Sequence, residues 1–317
     1  MLLQRAILAP MGDSRPQAPE IIALFGPTGV GKTAIAAALA ELLRARGEHP
    51  VAVSADALQV YAGLEVLTGV ASPAERAALE HRIVSFLPLD ATFSAGEYAG
   101  LAHAEIDALL AAGRRPIVVG GTGLYLRAAL AELDLRPPVP GAVRERLLDE
   151  LAAHGTPALH ARLAARAQWA AATIEPHDAH RVVRALELLE TGELQPPEGE
   201  SQLWSSELRR PTLLAGLTTE REALYARIDE RVEDMLRRGA REEVRRAQAA
   251  GISETARRAL GFEELLAGDV EAMKRHTRNY AKRQLTWMRK LSGVVPIDVT
   301  GRPARSVAGE ILDSCAV

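Results

Sequence analysis

Residues 20–33 read EIIALFGPTGVGKT, and this stretch decides the fold. The apolar run from Glu20 to Phe25 is suited to a short buried strand, and the glycine-rich turn after it matches the pattern G-x-x-x-x-G-K-[ST]. Strong helix formers continue from Thr33 to Arg46, and Gly47 ends the helix. A strand, a glycine turn and a helix in this order predict a loop whose backbone amides bind phosphate.

The predicted phosphate loop consists of Gly26, Pro27, Thr28, Gly29, Val30, Gly31, Lys32 and Thr33. Its glycines let the backbone curl so that successive N–H groups converge on phosphate oxygens. Lys32 supplies a compact cation, and the Thr33 hydroxyl is placed to ligate Mg²⁺. Lys32 is also the only lysine in the first 273 residues of a chain whose other basic residues are nearly all arginine. We therefore predict a phosphorylated ligand, with Mg²⁺ as the cofactor.

Further short apolar runs alternate with helical stretches. The predicted strands are Val51 to Ser54, Pro116 to Val119, Thr212 to Leu217 and Val294 to Val299. Between the first two, Ser94 is placed to cap a helix that continues through Ala112. Strands of four to six residues separated by helices indicate parallel βαβ units. The predicted fold is α/β, with a P-loop NTPase-like parallel sheet flanked by helices.

The composition changes at residues 136–140, which read RPPVP and indicate a boundary. We predict an inserted helical domain at 140–206, broken at Gly155-Thr156-Pro157 and at Pro176. Residues 20–139 and 207–317 together form the predicted catalytic core, which ends in a helical C-terminal region. Residues 1–19 are expected to be a loose N-terminal extension and make a poor signal peptide.

The composition excludes several classes of protein. The single cysteine, Cys315, excludes an internal disulfide framework and a cysteine-based zinc site. No apolar run approaches the roughly 20 residues of a membrane helix. We expect a cytoplasmic protein that acts as a monomer without a membrane partner.

The formal net charge of −3 is unevenly distributed along the chain. Residues 20–136 carry a net charge of −4, whereas residues 237–290 carry +7. On a helix, Arg275, Arg278 and Lys282 would share one face suited to phosphate contacts. A second stripe on that helix consists of Tyr280, Gln284, Trp287 and Leu291. Aromatic residues in such a stripe either stack on RNA bases or pack in the core, and we favour the core for Trp287.

A nucleotide hydrolase or kinase usually carries an Asp at the end of a second strand to help hold Mg²⁺. The strand that ends at Val119 lacks one, because Gly120-Gly121-Thr122 follows it. Asp56, after the strand that ends at Ser54, is the nearest alternative. We expect this strand to lie next to the phosphate loop, where open α/β sheets bind their ligands.

The chain resembles the bacterial tRNA dimethylallyltransferase family from about residue 20 to 300. Besides the phosphate loop, the resemblance rests on the stretches SADALQVY (54–61), GGTGLY (120–125), DAHRVVRALE (178–187), RALGF (258–262) and AKRQLTW (281–287), in this order. One departure is Ala57, where the family usually has serine, so any contact made by that hydroxyl is lost.

The resemblance implies that the phosphate loop holds dimethylallyl diphosphate. The dimethylallyl group would be transferred to N6 of the adenosine immediately 3′ of the anticodon in tRNA, and diphosphate would be released. The implied catalytic residues are Asp56, which accepts the proton of the exocyclic amine, Thr28, which bonds near the bridging oxygen, and Lys32. Arg221, Arg227 and Arg231 lie on one predicted helix, and Arg221 and Arg227 are our candidates for reaching the diphosphate.

The resemblance also implies which residues contact the tRNA anticodon stem-loop. Those near the target base are Asp56, Ala57, Leu58, Gln59 and Thr122. Those in the inserted segment are Arg144, His180, Arg181, Val182, Val183 and Arg184. Those in the C-terminal region are Arg258, Ala259, Leu260, Gly261, Phe262, Glu263, Lys282, Arg283, Gln284, Leu285, Thr286, Trp287, Met288 and Arg289.

Two other functions remain open on the sequence. A small-molecule P-loop kinase, or a prenyltransferase for a free adenine nucleotide, would have little use for residues 140–206 or for the basic C-terminal region. A nucleotide-switch binding module would need a guanine-reading Asn-Lys-x-Asp motif, which the chain lacks. We favour the RNA prenyltransferase.

Overall fold

A computed structural model of the chain describes residues 18–136, 138–196 and 202–315. Most of the expected N-terminal extension, residues 1–17, lies outside the described residues. The strands are β1 (Ile21–Phe25), β2 (Pro50–Ala55), β3 (His81–Arg82), β4 (Arg115–Gly120), β5 (Thr212–Thr218) and β6 (Val294–Asp298). The helices are α1 (Lys32–Ala45), α2 (Glu65–Thr68), α3 (Pro73–Ala78), α4 (Ala95–Ala111), α5 (Gly123–Leu130), α6 (Gly141–Arg166), α7 (Gln168–Ala171), α8 (Ala179–Thr191), α9 (Arg221–Arg237), α10 (Ala240–Ala250), α11 (Glu254–Arg257), α12 (Phe262–Ala267), α13 (Val270–Met288) and α14 (Ala304–Asp313).

The six strands form one parallel sheet in the order β3-β2-β4-β1-β5-β6. The parallel α/β fold class is therefore confirmed, and the five predicted strands are all present. The edge strand β3 escaped prediction because two residues carry no readable periodicity. Ser94 caps α4 as predicted, since its side chain accepts the N–H of Glu97 while the Glu97 carboxylate accepts the N–H of Ser94.

The central strand β1 is buried on both faces, as its unbroken apolar sequence predicts. Phe25 belongs to a core that α4 and α5 cover with side chains such as Tyr98 and Leu126. Leu24 belongs to the opposite core, which α1 and α14 cover with side chains such as Leu39 and Ile311. With both faces covered, the sheet leaves its strand ends as the place for a ligand.

Helices α6, α7 and α8 have a small apolar core of their own, which includes Leu147, Leu163 and Leu186. The predicted break near Gly155 is confirmed as a kink, because this glycine adopts φ 76° inside α6. The break at Pro176 is confirmed as well, since it lies between α7 and α8. The assignment of 140–206 as a separate domain stays a prediction.

Helices α9 and α13 pack against each other near the carboxyl ends of the strands, where the phosphate loop lies. An ion pair joins them, because Arg278 of α13 donates to Asp229 of α9 through Nε at 3.0 Å and Nη2 at 2.6 Å. Within the described ranges, none of these helices is both long and apolar enough to cross a membrane.

Candidate active site

The carboxyl ends of three neighbouring strands meet at one cavity of about 720 Å³. The phosphate loop follows β1, Asp56 follows β2 and Gly121 follows β4. Our expectation that β2 lies next to the phosphate loop is wrong, because β4 is inserted between β1 and β2. Lys32 and Asp56 nevertheless both line the cavity. Parallel strands all end at the same edge of the sheet, so one intervening strand does not separate them.

The phosphate loop depends on two glycines with positive φ. Gly29 adopts φ 81° and Gly31 adopts φ 100°, a region that other residues rarely enter. Helix α1 begins immediately afterwards, at Lys32. The free N–H groups of its first turn therefore lie at the cavity, and the helix dipole favours an anion there.

The ammonium of Lys32 is held by the loop itself. It donates to the carbonyl oxygens of Gly26 at 2.8 Å and Pro27 at 3.0 Å. Burial and the nearby charge of Arg231 lower the pKa of Lys32 to about 7, although the carboxylate of Asp56 opposes the shift. A phosphate group would supply the negative charge that this site lacks, so the site favours an anionic ligand.

The carboxylate of Asp56 is oriented by a local turn, because its Oδ1 accepts the N–H of Leu58 at 3.0 Å. Ala57 and Leu58 follow it on the cavity wall. Gln59 is engaged by the protein itself: its Oε1 accepts the Ser54 hydroxyl at 2.9 Å, and its Nε2 donates to the carbonyl of Gly69 at 3.2 Å. Of these residues, Asp56 has the reactive group for proton transfer.

The three arginines of α9 have different surroundings. Arg227 lines the cavity, and its Nη1 lies 3.4 Å from the carbonyl oxygen of Val30 in the phosphate loop. Arg231 also lines the cavity, against Gly69, where a Cβ would overlap its guanidinium. Arg221 does not line it and instead stacks its guanidinium over the ring of Tyr225 at 5.2 Å. Of the three, Arg227 and Arg231 therefore lie where a ligand of the cavity could contact them, and Arg221 does not.

Helix α13 closes the cavity over the turn after β4. Thr122 Oγ1 lies 3.3 Å from the Tyr280 hydroxyl. Burial, together with the charge of Asp56, raises the pKa of Tyr280 to about 12. The indole ring of Trp287 is half-buried, lies against Gly123 and contacts Trp204 at 4.7 Å between ring centroids. This packing agrees with our preference for a core position of Trp287.

The residues of the inserted segment and of the C-terminal region that are expected to contact tRNA divide into three groups by exposure. The exposed residues are His180, Arg181, Arg258, Glu263, Lys282, Arg283, Thr286 and Arg289. Those that are half-buried are Arg144, Arg184, Leu260, Leu285 and Trp287. Those that are buried are Val182, Val183, Ala259, Gly261, Phe262, Gln284 and Met288. Packing covers the last group, although Gln284 lines the cavity, and contact of these residues with tRNA stays a prediction.

Three residues expected at the RNA from distant stretches lie close together. His180 is exposed at the residue level, but partial desolvation of its imidazole lowers its pKa, and the charges of Arg258 and Arg144 lower it further. Arg144 itself donates to Glu187 at 2.7 Å, and Arg184 donates to the other oxygen of this buried carboxylate at 3.1 Å. Glu187, which the sequence did not single out as a functional residue, thus orients two arginines beside His180.

The basic residues of α13, together with Arg289 and Lys290 that follow it, also divide into two sets. Lys274 lies 2.6 Å from Glu233, and Arg278 is paired with Asp229, so the charge of Arg278 is engaged within the protein and its expected phosphate contact stays a prediction. A second set has no carboxylate within ion-pair distance among the residues that the structure describes, namely Arg275, Lys282, Arg283, Arg289 and Lys290. This second set is the charge available to a polyanion.

Within the described ranges, no group of three His, Cys, Asp or Glu side chains could hold a metal ion. Thr33 and Asp56, however, both line a smaller cavity of about 50 Å³ under the phosphate loop. A hydroxyl and a carboxylate are the hard oxygen ligands that suit Mg²⁺, which is usually held by one or two carboxylates together with substrate phosphates. The residues present therefore fit this cation.

Comparisons with known proteins identify the family of the chain. The model of the IPP transferase family matches residues 59–291. The chain is 39% identical to the tRNA dimethylallyltransferase of Symbiobacterium thermophilum over 302 residues, which cover 92% of each chain. It is 43% identical to the tRNA dimethylallyltransferase of Rhodospirillum centenum over 296 residues, which cover 86% of this chain and 90% of that one.

Solved structures give the same result. The crystal structure of the full-length tRNA isopentenylpyrophosphate transferase from Bacillus halodurans is 30% identical, with a TM-score of 0.67 over 93% of this chain and 95% of that one. A eukaryotic dimethylallyltransferase, captured in crystallographic snapshots acting on tRNA, is 26% identical, with a TM-score of 0.68 over 88% of this chain and 74% of that one. Sequence, fold and site together show that the chain belongs to the IPP transferase family.

Proposed function

We propose that this chain transfers the dimethylallyl group of dimethylallyl diphosphate to N6 of the adenosine immediately 3′ of the anticodon in tRNA. Prenylation of tRNA is the activity of the family to which it belongs. One observation supports the specific reaction best. The phosphate loop, Asp56 and the basic residues Arg258 and Arg283 line one continuous cavity. A diphosphate at one end of it and an RNA base entering from the other would meet at Asp56.

The diphosphate side of the reaction needs charge neutralisation as the C–O bond breaks. The loop N–H groups, Lys32, Arg227 and Arg231 supply it, and Thr28 is suited to donate its hydroxyl to the bridging oxygen. When bound at Thr33, Mg²⁺ would neutralise further phosphate charge. Because these groups are arranged before the reaction, they stabilise the leaving group without reorganisation.

The acceptor side needs a base, because the exocyclic amine of adenine is a weak nucleophile. In the proposed step, N6 forms a bond to C1 of the dimethylallyl group while the bond from C1 to the diphosphate oxygen breaks. Diphosphate leaves with the bonding electron pair, and the proton released from N6 goes to the Asp56 carboxylate. A positioned general base contributes roughly 10²- to 10⁴-fold to the rate.

The target base must leave its stack to reach Asp56, which costs a few kcal/mol in the stem-loop. Exposed basic residues beside the cavity and on the inserted helical unit, including Arg258, Arg283 and Arg181, would hold the loop through its phosphates. The proposal includes a monomeric enzyme in the cytoplasm. Size-exclusion chromatography with light scattering tests the monomer.

The proposal is tested by incubating the protein with Mg²⁺, labelled dimethylallyl diphosphate and unmodified tRNA. We expect label in the RNA and one diphosphate released per group transferred. A tRNA with guanosine at the target position is the matched control and should stay unlabelled. Parallel reactions with adenosine monophosphate as acceptor and with ATP in place of the prenyl donor test the other functions. Label in the free nucleotide alone, or consumption of ATP, would refute the proposal.

A further inference from the structure

Among the hydrogen bonds of the described residues, the one that joins α13 to the phosphate loop comes from Gln284. The Oε1 atom of Gln284 accepts the backbone N–H of Thr28 at 2.8 Å, and its Nε2 atom donates to the carbonyl of Gly121 at 2.9 Å. The side chain is only 5% exposed. A single buried amide therefore joins the turn after β1 to the turn after β4, from a helix 256 residues further along the chain than Thr28.

The site of this amide depends on Gly121. A Cβ on Gly121 would overlap Nε2 of Gln284 and would lie 3.2 Å from the carbonyl oxygen of Gly26. Only a residue without a side chain leaves room for the amide between the two turns. Gly121 does not adopt a positive φ, so its backbone conformation does not require glycine. The close approach of Gln284 explains the glycine instead.

Two neighbouring contacts fix the register of α13 on the same turn. Tyr280, one helical turn before Gln284, reaches Thr122 at 3.3 Å. Trp287, three residues after Gln284, packs against Gly123, where a Cβ would overlap its ring. Spacings of four and three residues place all three side chains on one face of the helix. The stripe seen in the sequence is thus the inner face of α13. Arg275, Lys282 and Arg289 recur every seven residues on the opposite, outer face, whereas Arg283 lines the cavity with its guanidinium over the ring of Tyr280.

The hydrogen bond to Thr28 bears on the chemistry because Thr28 lines the cavity. Gln284 lines the same cavity, and by accepting the N–H of Thr28 it fixes the backbone there and, with it, where the Thr28 hydroxyl lies relative to a bound diphosphate. A hydroxyl that stabilises the leaving oxygen acts in the transition state more than in the bound ground state. Loss of its position would therefore lower kcat more than it would raise KM.

We propose that Gln284 is a positioning residue for prenyl transfer, which holds Thr28 of the phosphate loop against the Gly121 turn rather than contacting tRNA. This inference rests on the proposed function. It connects the helix that carries the outer basic residues to the loop that holds the leaving group. Docking of tRNA on the outer face would then be coupled to the position of Thr28 through one side chain.

The first test is Gln284→Met, which keeps the volume of the side chain and removes both hydrogen bonds. We expect kcat to fall roughly ten- to hundredfold, while KM for dimethylallyl diphosphate and Kd for tRNA stay within about threefold. Gln248→Met, at an exposed glutamine of α10, is the matched control and should leave all three values unchanged. An increase in the Kd for tRNA with an unchanged kcat would show that Gln284 binds RNA and would overturn the proposal, as would wild-type kinetics.

The second test is a double-mutant cycle with Thr28→Val. Because Gln284 acts through Thr28, the double variant should be no slower than Thr28→Val alone by more than about twofold. Multiplicative losses in kcat would show that the two residues act independently and would overturn the proposal.

A third variant tests the contact without changing Gln284. Gly121→Ala places a methyl group where Nε2 lies, and it should reproduce the loss in kcat without adding to that of Gln284→Met. Circular dichroism and thermal melting identify a variant that fails to fold. If either Gln284→Met or Gly121→Ala fails, the kinetics of the other one test the proposal. If the wild-type protein labels tRNA but the variants match it, only this inference fails. If the wild type transfers no label, the proposed function itself fails.

Discussion

The phosphate loop and α13 are both stretches that the sequence singles out, but the structure uses them differently. In the loop the backbone is the proposed phosphate ligand, so eight consecutive residues serve one proposed function. In α13 the consecutive residues 282–289 divide between two faces: four are exposed and four are buried or half-buried. A contiguous helical stretch cannot present every side chain to one partner, because its side chains project around the axis. The loop is accordingly expected to control chemistry, and the outer face of α13 to control RNA binding.

The largest effect expected in the loop region is that of Asp56→Asn. The variant keeps an acceptor for the N–H of Leu58 and removes the base, so transfer should fall by roughly 10²- to 10⁴-fold. Binding of tRNA, which depends on other residues, should stay within a few fold. Single-turnover transfer and filter binding measure the two quantities. Asp90→Asn, at an exposed aspartate, is the control, and near-normal turnover of Asp56→Asn would refute the general-base role.

Lys32→Met should lower the affinity for the donor, dimethylallyl diphosphate, and should not change the affinity for tRNA. Loss of a charge-assisted hydrogen bond to phosphate costs about 1.5–3 kcal/mol, or roughly ten- to hundredfold in affinity for dimethylallyl diphosphate. Calorimetric titration with the diphosphate measures it. The same substitution at Lys290, an exposed lysine at the end of α13, should leave donor affinity unchanged. Equal losses in both variants would contradict the separation of the two regions.

The outer face of α13 is tested by the salt dependence of tRNA binding. Replacing Arg275, Lys282 and Arg289 together with alanine should reduce the slope of log Kobs against log[salt] by about two, because roughly one counterion is released per phosphate contact. Donor affinity should not change.

A matched triple variant carries the same change in net charge at Arg44, Arg46 and Arg305, which are exposed near α1 and α14. Its salt slope should equal that of the wild type. If both triple variants lose the same slope, only net charge matters, and a specific RNA-binding face on α13 is excluded.

The smallest expected effect is on the pH dependence of donor binding. The free protein holds the pKa of Lys32 at about 7, and a bound diphosphate raises it again, so the complex binds more protons than the free protein above that pH. Affinity should therefore fall as the pH rises above 7, by roughly fivefold between pH 7 and 8. Titrations in buffers of different ionisation enthalpy should show proton uptake. Lys32→Met should abolish this component, and an unchanged pH profile in that variant would refute it.

Much of the fold was predictable because its signals are local. The strand at Ile21–Phe25, the turn to Lys32 and the cap at Ser94 each depend on residues adjacent in the sequence. Short or weakly patterned elements were missed, such as β3 and α14. The order of strands was also beyond the sequence, since nothing local places β4 between β1 and β2.

The candidate site was likewise predicted where its signals are local and missed where they are not. Lys32 and Asp56 were identified by motif, and the structure brings them to one cavity. The preference for Arg231 over Arg221 follows from which face of α9 meets the cavity, and a spacing of four residues after Arg227 was the only signal in the sequence. The pairing of Arg278 with Asp229 had no such signal, because it depends on how α9 packs against α13.

The sequence by itself determined the phosphate loop, the parallel α/β class and the family, because backbone-binding motifs and hydrophobic periodicity are written in consecutive residues. The tertiary structure alone decided which charged side chains form ion pairs within the protein and which are left for contacts with RNA. It also decided that the Gln284 amide is bonded to the backbone of Thr28 and of Gly121. The physical reason is that a hydrogen bond across 256 residues depends on the packing of a helix onto a sheet edge, which no local pattern encodes.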